Sequence, residues 1–216
     1  DLNKGKRVLF TGTPCQVDGL LHYLRTRQAN LLCVDLICHG TPSPLVFADH
    51  LKMLEKKTHA HVTDYVFRPK IWSWHVHREI AFLSNGKTFH SNAYSDLWRT
   101  VYYAKLATKP SCHHCQYSCL DRTGDITIGD CRGIDRVCPN FNSDEGVSLV
   151  LINSSKGAAI FESLQAGMKV MELRVDDVIQ PPLKSPSRQS GMRDKFWEPY
   201  HKKGYMQAIY ACMGKL

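Results

Sequence analysis

The sequence has no apolar run approaching the roughly 18 residues that a membrane-spanning helix needs, so no membrane span is expected. Nothing resembles a secretory signal either, because Asp1-Leu2-Asn3-Lys4-Gly5-Lys6 runs straight into a strand-like segment. The lack of an initiator methionine and the abrupt first strand lead us to expect a piece of a longer polypeptide. Internal repeats, low-complexity tracts and blocks of five like charges are missing too. The formal charge is nevertheless +8, from 28 Lys and Arg against 20 Asp and Glu. These cations are scattered, and the densest stretch, Lys184 to Lys203, also holds Asp194 and Glu198. That pattern argues against nucleic acid and suits an anionic ligand or an acidic partner.

Cysteine, by contrast, is abundant: nine among 216 residues, at 15, 33, 38, 112, 115, 119, 131, 138 and 212. The odd number argues against a complete disulfide framework. With no export signal the expected compartment is the cytoplasm, where cysteines more often bind metal than pair. A hydrophobic fraction of 43% and a charged fraction of 22% are those of a globular chain.

The order of patterns is that of an α/β protein. Lys6 to Phe10 reads as a buried strand, and Thr13-Pro14 opens a helix that places Val17, Leu20, Leu21 and Leu24 on one face. Leu31 to Ile37 is a second buried strand. Pro42-Ser43-Pro44 then leads into a helix with Val46, Phe47, His50, Leu51 and Leu54 inward. This is a parallel βαβ unit. Strands follow at Val62–Phe67, Val76–Leu83 and Lys87–His90, the last two joined by an Asn85-Gly86 turn. A helix at Tyr94–Ala107, strands at Asp125–Gly129 and Val147–Ile152, a helix at Lys156–Gln165 and a strand at Lys169–Leu173 come next. One terminal helix, Asp194–Met213, packs Phe196, Trp197, Tyr200 and Ile209. The expected architecture is a single α/β domain over residues 1–216. It has a mixed sheet, an N-terminal parallel βαβ unit and a C-terminal helix.

The sharpest local feature is Cys112-His113-His114-Cys115, since two thiolates at this spacing can grip one metal or one cluster edge. Cys15 and Cys38 lie just past the ends of the first two strands. In a parallel unit those ends share one edge of the sheet, where ligands usually bind. Cys15 also sits in the first turn of its helix, where unpaired amides favour a thiolate. Four thiolates are as suited to zinc as to an iron–sulfur cluster, and His39, His113 and His114 are possible additions to a zinc site. Cys33 reads as core and Cys212 as inert. Cys119, Cys131 and Cys138 are either spare thiols or ligands of a second centre.

Several segments together resemble the coenzyme F420 hydrogenase/dehydrogenase beta-subunit family, in particular its C-terminal domain. They are Val8–Gln16 (VLFTGTPCQ), Asp35–Pro44 (DLICHGTPSP), Phe67–Lys70 (FRPK) and Pro110–Cys115 (PSCHHC). Asp125–Asp130 (DITIGD), Gly146–Asn153 (GVSLVLIN) and Pro181–Lys184 (PPLK) complete the set. The resemblance implies an iron–sulfur flavoprotein oxidoreductase of the kind that includes F420 reductases, hydrogenase and formate dehydrogenase beta subunits, and a chlorophyll-pathway reductase. It implies a [4Fe–4S] cluster on Cys15, Cys38, Cys112 and Cys115, with FAD nearby. Electrons would pass between cluster and flavin, and hydride to or from a small molecule that is F420-like or unknown. A ferredoxin-like protein or domain is the expected redox partner. The cofactors supply the chemistry, so no catalytic side chain is named.

For the flavin, Thr13 and Gln16 are candidates at the first helix N-terminus, Lys70 and Arg122 for phosphate, and Asp125, Gly129 and Asp130 along the motif strand. Each has an ordinary structural reading as a cap, a surface charge or a strand residue. Trp72 and Trp74 would either wall a ring system or pack in the core. Where the family commonly has an aromatic pair after Gly-Asp, this chain has Cys131-Arg132. The alternative to a redox protein is a zinc-stabilised or metal-free domain that only binds a partner.

Overall fold

The computed structural model describes residues 1–69, 71, 73, 76, 78–91 and 97–214. Along the chain the elements are β1 (Val8–Gly12), α1 (Pro14–Leu24), β2 (Leu31–Leu36) and α2 (Pro44–Thr58). Then come β3 (Val62–Phe67), β4 (Glu79–Leu83), β5 (Thr88–His90) and α3 (Leu97–Tyr103). β6 (Ile126–Asp130), the single turn α4 (Ile134–Val137), β7 (Ser148–Ile152) and α5 (Ser155–Leu164) follow. A second short turn, α6 (Val175–Val178), precedes the terminal pair α7 (Arg193–Lys203) and α8 (Tyr205–Met213).

The chain divides into two compact units. The first comprises residues 1–39 and 114–187, the second residues 40–113 and 188–216. The first unit holds a four-stranded sheet in the order β1-β2-β6-β7. β1 pairs with β2 in parallel, Phe10 opposite Cys33, and β2 with β6 in parallel, Val34 opposite Ile126. β7 runs antiparallel to β6. The sheet is therefore mixed, and the N-terminal βαβ unit is present. α1 covers one face, where Val17, Leu31 and Cys33 are buried with Val8, Phe10, Leu20, Leu21 and Leu24 packed around them. Gly157 on α5 stands so close to the strand end that a methyl group there would collide with the Asp125 carbonyl.

The second unit holds an antiparallel sheet in the order β3-β4-β5. The β4–β5 turn is the expected one, with Gly86 at φ 77° and Leu83 N–H donating to Lys87 O. Its core joins Val46 of α2, Leu97, Trp98 and Val101 of α3, and Phe196, Tyr200, Tyr205, Ala208 and Ile209 of the terminal helices.

Two expectations for single elements are corrected. Residues 169–173 form no strand. Their run carries strand-forming side chains, but Val170 and Met171 are exposed, and β7 is the outermost strand of its sheet. β-propensity without a pairing edge and a buried face makes no strand. The terminal helix is also two helices. Gly204, at φ 84° and ψ −176°, donates its N–H to Tyr200 O to end α7, and its carbonyl starts α8 by accepting from Ala208 N–H. The expected helix at 94–107 is seen as Leu97–Tyr103, its first three positions lying outside the described residues.

Candidate functional site

In the first unit the chain leaves β1 at Gly12 and enters α1 at Pro14, whose missing N–H is one that a helix start does not need. Thr13 is the cap. Its N–H and its hydroxyl both donate to Gln16 Oε1, at 2.9 and 3.0 Å. Thr13 and Gln16 are thus engaged with each other, and cap the helix. Cys15 Sγ lies 3.1 Å from Thr13 Oγ1 in this exposed first turn. Since the Thr13 proton goes to Gln16, the neutral Cys15 thiol is the donor. Deprotonated, it would take the hydroxyl proton instead.

Behind this turn lies a buried hub that sequence reasoning missed. Asp35, on β2, is fully buried and pairs with Arg122, whose side chain is 1% exposed, at 2.7 Å. Arg122 Nη1 donates to Tyr117 O at 2.8 Å, Nη2 to Leu36 O at 3.0 Å and Nε to Thr127 Oγ1 at 3.2 Å. The other Asp35 oxygen accepts from Gly124 N–H at 2.9 Å. Thr123 Oγ1 donates to Pro14 O at 3.2 Å, and the Tyr117 hydroxyl to Asp18 Oδ2 at 2.6 Å. The Asp18 bond, then burial, with the Cys15 sulfur adding in the same sense, hold the Tyr117 phenol above its ordinary pKa. Segment 117–124 is therefore tied to the residue before Cys15 and to the strand end two residues before Cys38. Arg122 has its donors committed inside the protein, to Asp35, Thr127 and the carbonyls of Leu36, Tyr117 and Cys119. A charged residue in the apolar run Leu31–Ile37 was the signal available in the sequence, since a buried carboxylate demands a partner.

The remaining flavin candidates also have structural duties. Asp125 accepts from Cys33 N–H at 2.9 Å, from the Ser154 hydroxyl at 2.7 Å and from Lys156 Nζ at 3.1 Å. Burial works to raise its pKa, but those three donors outweigh it and hold the carboxyl below the carboxylate range. Gly129 is needed for packing, because a Cβ there would press into Ile37. Asp130 is exposed, and its carbonyl accepts from Gln180 Nε2. Lys70, Trp72 and Trp74 lie outside the described residues. Each described candidate thus has a structural contact of its own.

None of the nine cysteines is in a disulfide. In the second unit, Cys112 sits on a 3-10 turn, Pro110–His114, and its sulfur accepts from Thr41 N–H at 3.4 Å. Cys38, Cys112 and Cys115 are half-buried and Cys15 is exposed. Cys119 is also half-buried, its thiol directed to Gln116 O and Asp121 O. Cys33 and Cys131 are buried, and burial pushes both thiols up; Cys33 is core, as expected. Cys212 packs against the helical core of the second unit, where burial also raises its pKa. Cys138 links α4 to a 3-10 turn, donating its N–H to Ile134 O. Thiols outside any disulfide, one of them already taking a backbone N–H, are a donor set that fits a thiolate-bound metal group. Among the described residues, no three His, Cys, Asp or Glu side chains are grouped to hold an ion.

The sequence pattern of the family described as the C terminus of the coenzyme F420 hydrogenase/dehydrogenase beta subunit, matches residues 5–177. No curated protein sequence matches the chain. Three chains of solved structures do. One belongs to the structure described as a xenon derivatization of the F420-reducing [NiFe] hydrogenase complex from Methanosarcina barkeri. It is 15% identical, with a TM-score of 0.43, over 82% of this chain and 54% of that one. The chain thus spans about half the length of that neighbour.

Proposed function

As the chain belongs to the coenzyme F420 hydrogenase/dehydrogenase beta-subunit family, we propose that it is an electron-relay domain whose Cys15, Cys38, Cys112 and Cys115 hold a [4Fe–4S] cluster. The observation that carries this reading is the placement of Cys15 and Cys38 directly beyond the ends of the parallel neighbours β1 and β2. A [4Fe–4S] cluster supplies one-electron transfer, which a flavin can couple to hydride exchange with an F420-like or other small substrate.

The chain's own residues prepare the thiolates. Thr13 offers a hydroxyl to the Cys15 sulfur once the thiol proton is gone. Cys112 is steadied by the Thr41 amide. Arg122, through Leu36 and Tyr117, and Thr123, through Pro14, fix the segments flanking Cys38, Cys115 and Cys15. FAD enters by the family resemblance only. An external one-electron partner, ferredoxin-like in character, completes the reading.

The test is anaerobic purification of the full-length protein with iron, sulfide, zinc and flavin determined together. The expected result is four irons and four sulfides per chain, and loss of at least half the iron in Cys112→Ser and Cys115→Ser. One zinc and no iron per chain, abolished by the same substitutions, would establish the zinc-stabilised alternative. Protein free of metal, with stability unchanged in Cys112→Ser, would leave a docking domain only.

A further inference from the structure

Charge is divided very unequally between the two units. The first carries 12 Lys and Arg against 13 Asp and Glu, while the second carries 16 against 7. The whole net charge of +8 thus arises from a second unit at +9 and a first unit at −1. The second unit also holds 8 of the 11 histidines. A field of that size on one body steers an oppositely charged partner and orients it before contact.

Part of this charge is gathered along one seam of the second unit, between α2 and α7. Asp49 of α2 accepts from the Tyr200 hydroxyl of α7 at 2.7 Å, which ties the two helices at this point, and from Lys52 Nζ of its own helix at 3.0 Å. The first bond holds the Asp49 carboxyl below its ordinary range despite burial. Lys52 and Lys56 stand three and seven residues beyond Asp49, so they share its face of α2. Lys203 stands three beyond Tyr200 on α7. All three lysines are exposed, and His201 and Lys202 adjoin them in the last turn of α7. Lys202 pairs with Glu198 at 2.7 Å. The seam sets the Asp49 carboxylate among ammonium groups, whereas Glu198 and Lys202, two residues either side of Tyr200, pair on another face of α7.

We propose that this seam, lined by Lys52, Lys56 and Lys203, is the docking surface for an acidic protein. An unbroken row of phosphates would meet Asp49 as a repulsive neighbour. A protein surface that mixes carboxylates with its own cations matches this arrangement. That the partner is a one-electron carrier rests on the redox reading above. The surface itself does not, because it lies on the second unit's helices and needs no metal.

The test uses the full-length protein and an acidic plant-type ferredoxin as probe, with binding followed by calorimetry and by association rate. Association is expected to slow at least tenfold between 50 and 300 mM salt. Lys52→Glu, Lys56→Glu and Lys203→Glu combined should weaken binding at 50 mM salt at least tenfold. The matching reversal on the first unit, at Lys4, Lys169 and Lys184, should change it less than twofold although it alters net charge equally. Alanine at the three seam positions, expected to give a smaller loss in the same direction, decides the matter if the reversed protein does not fold. Equal losses from both sets, or absence of ferredoxin binding, would overturn the assignment, as would tighter binding of duplex DNA. Iron content is measured on the same samples. Full iron with no docking removes this surface and leaves the cluster reading intact, and docking without iron does the reverse.

Discussion

At the scale of single residues, the strongest constraints come from buried polar groups that had to be paired. His50, 2% exposed in the second unit, lies between two tyrosine hydroxyls, Tyr205 on Nδ1 and Tyr65 on Nε2, each at 3.2 Å. Tyr65 donates its proton to Glu79 Oε2 at 2.6 Å, so its oxygen must accept from His50, and the neutral ring carries its hydrogen on Nε2. Burial depresses the His50 pKa to about 4. A histidine lowered on folding adds stability above its unfolded pKa and loses it as pH falls through the window from about 6.5 to 4. The full-length protein should lose on the order of 3 kcal/mol across that window. His50→Gln should remove most of that dependence in chemical denaturation run at pH 7, 5.5 and 4.5. The Arg122–Asp35 pair gives a second prediction. Arg122→Met leaves a bare buried carboxylate and should cost about 3–5 kcal/mol. Arg122→Met with Asp35→Leu should recover most of that, as measured by thermal unfolding. Asp35 could be noticed in the sequence as a charge in an apolar run. Its partner, 87 residues away, could not, because arginine usually sits at the surface and its burial depends entirely on tertiary context.

At the scale of elements, periodicity carried the expectation well wherever a segment has one face to bury. β1, α1, β2 and α2 lie where the apolar spacing puts them, and Val17 and Val46 are fully buried. Periodicity fails where pairing decides, as at residues 169–173, whose apolar side chains find no neighbouring strand. It also missed Gly204, whose φ of 84° with extended ψ is open to glycine and divides one apolar stripe between two helices. Glycines inside helices give a paired prediction. Gly19 of α1 has nothing within 4 Å of a built Cβ, and Gly19→Ala should stabilise the protein by up to about 1 kcal/mol. Gly157→Ala would drive a methyl into the Asp125 carbonyl and separate α5 from the sheet. A loss of about 1–3 kcal/mol is expected, read as a lower melting temperature than that of Gly19→Ala.

At the scale of the whole molecule, the sequence gives little warning that two compact units exist. Turn-rich stretches do flank the boundaries, Gly40–Pro44 and Pro181–Gly191 among them, but each unit is assembled from separated stretches, and local composition does not say which of them belong together. Hydrophobic patterning reports local periods, whereas such a division depends on which distant segments pack together. The division also explains why the scattered charge looked featureless along the chain: sorted by unit, it is almost all on one side.

The insertion of residues 40–113 between β2 and β6 sets a timetable for biosynthesis. β1 and β2 can pair as soon as they leave the ribosome, but the other edge of β2 must await β6, which is made roughly 90 residues later. At about 5–20 residues per second, that edge stands open for roughly 5 to 20 seconds. Its unpaired backbone is then a template for any passing strand. Newly made chains should therefore be most vulnerable to clumping in that interval, before the second parallel neighbour arrives.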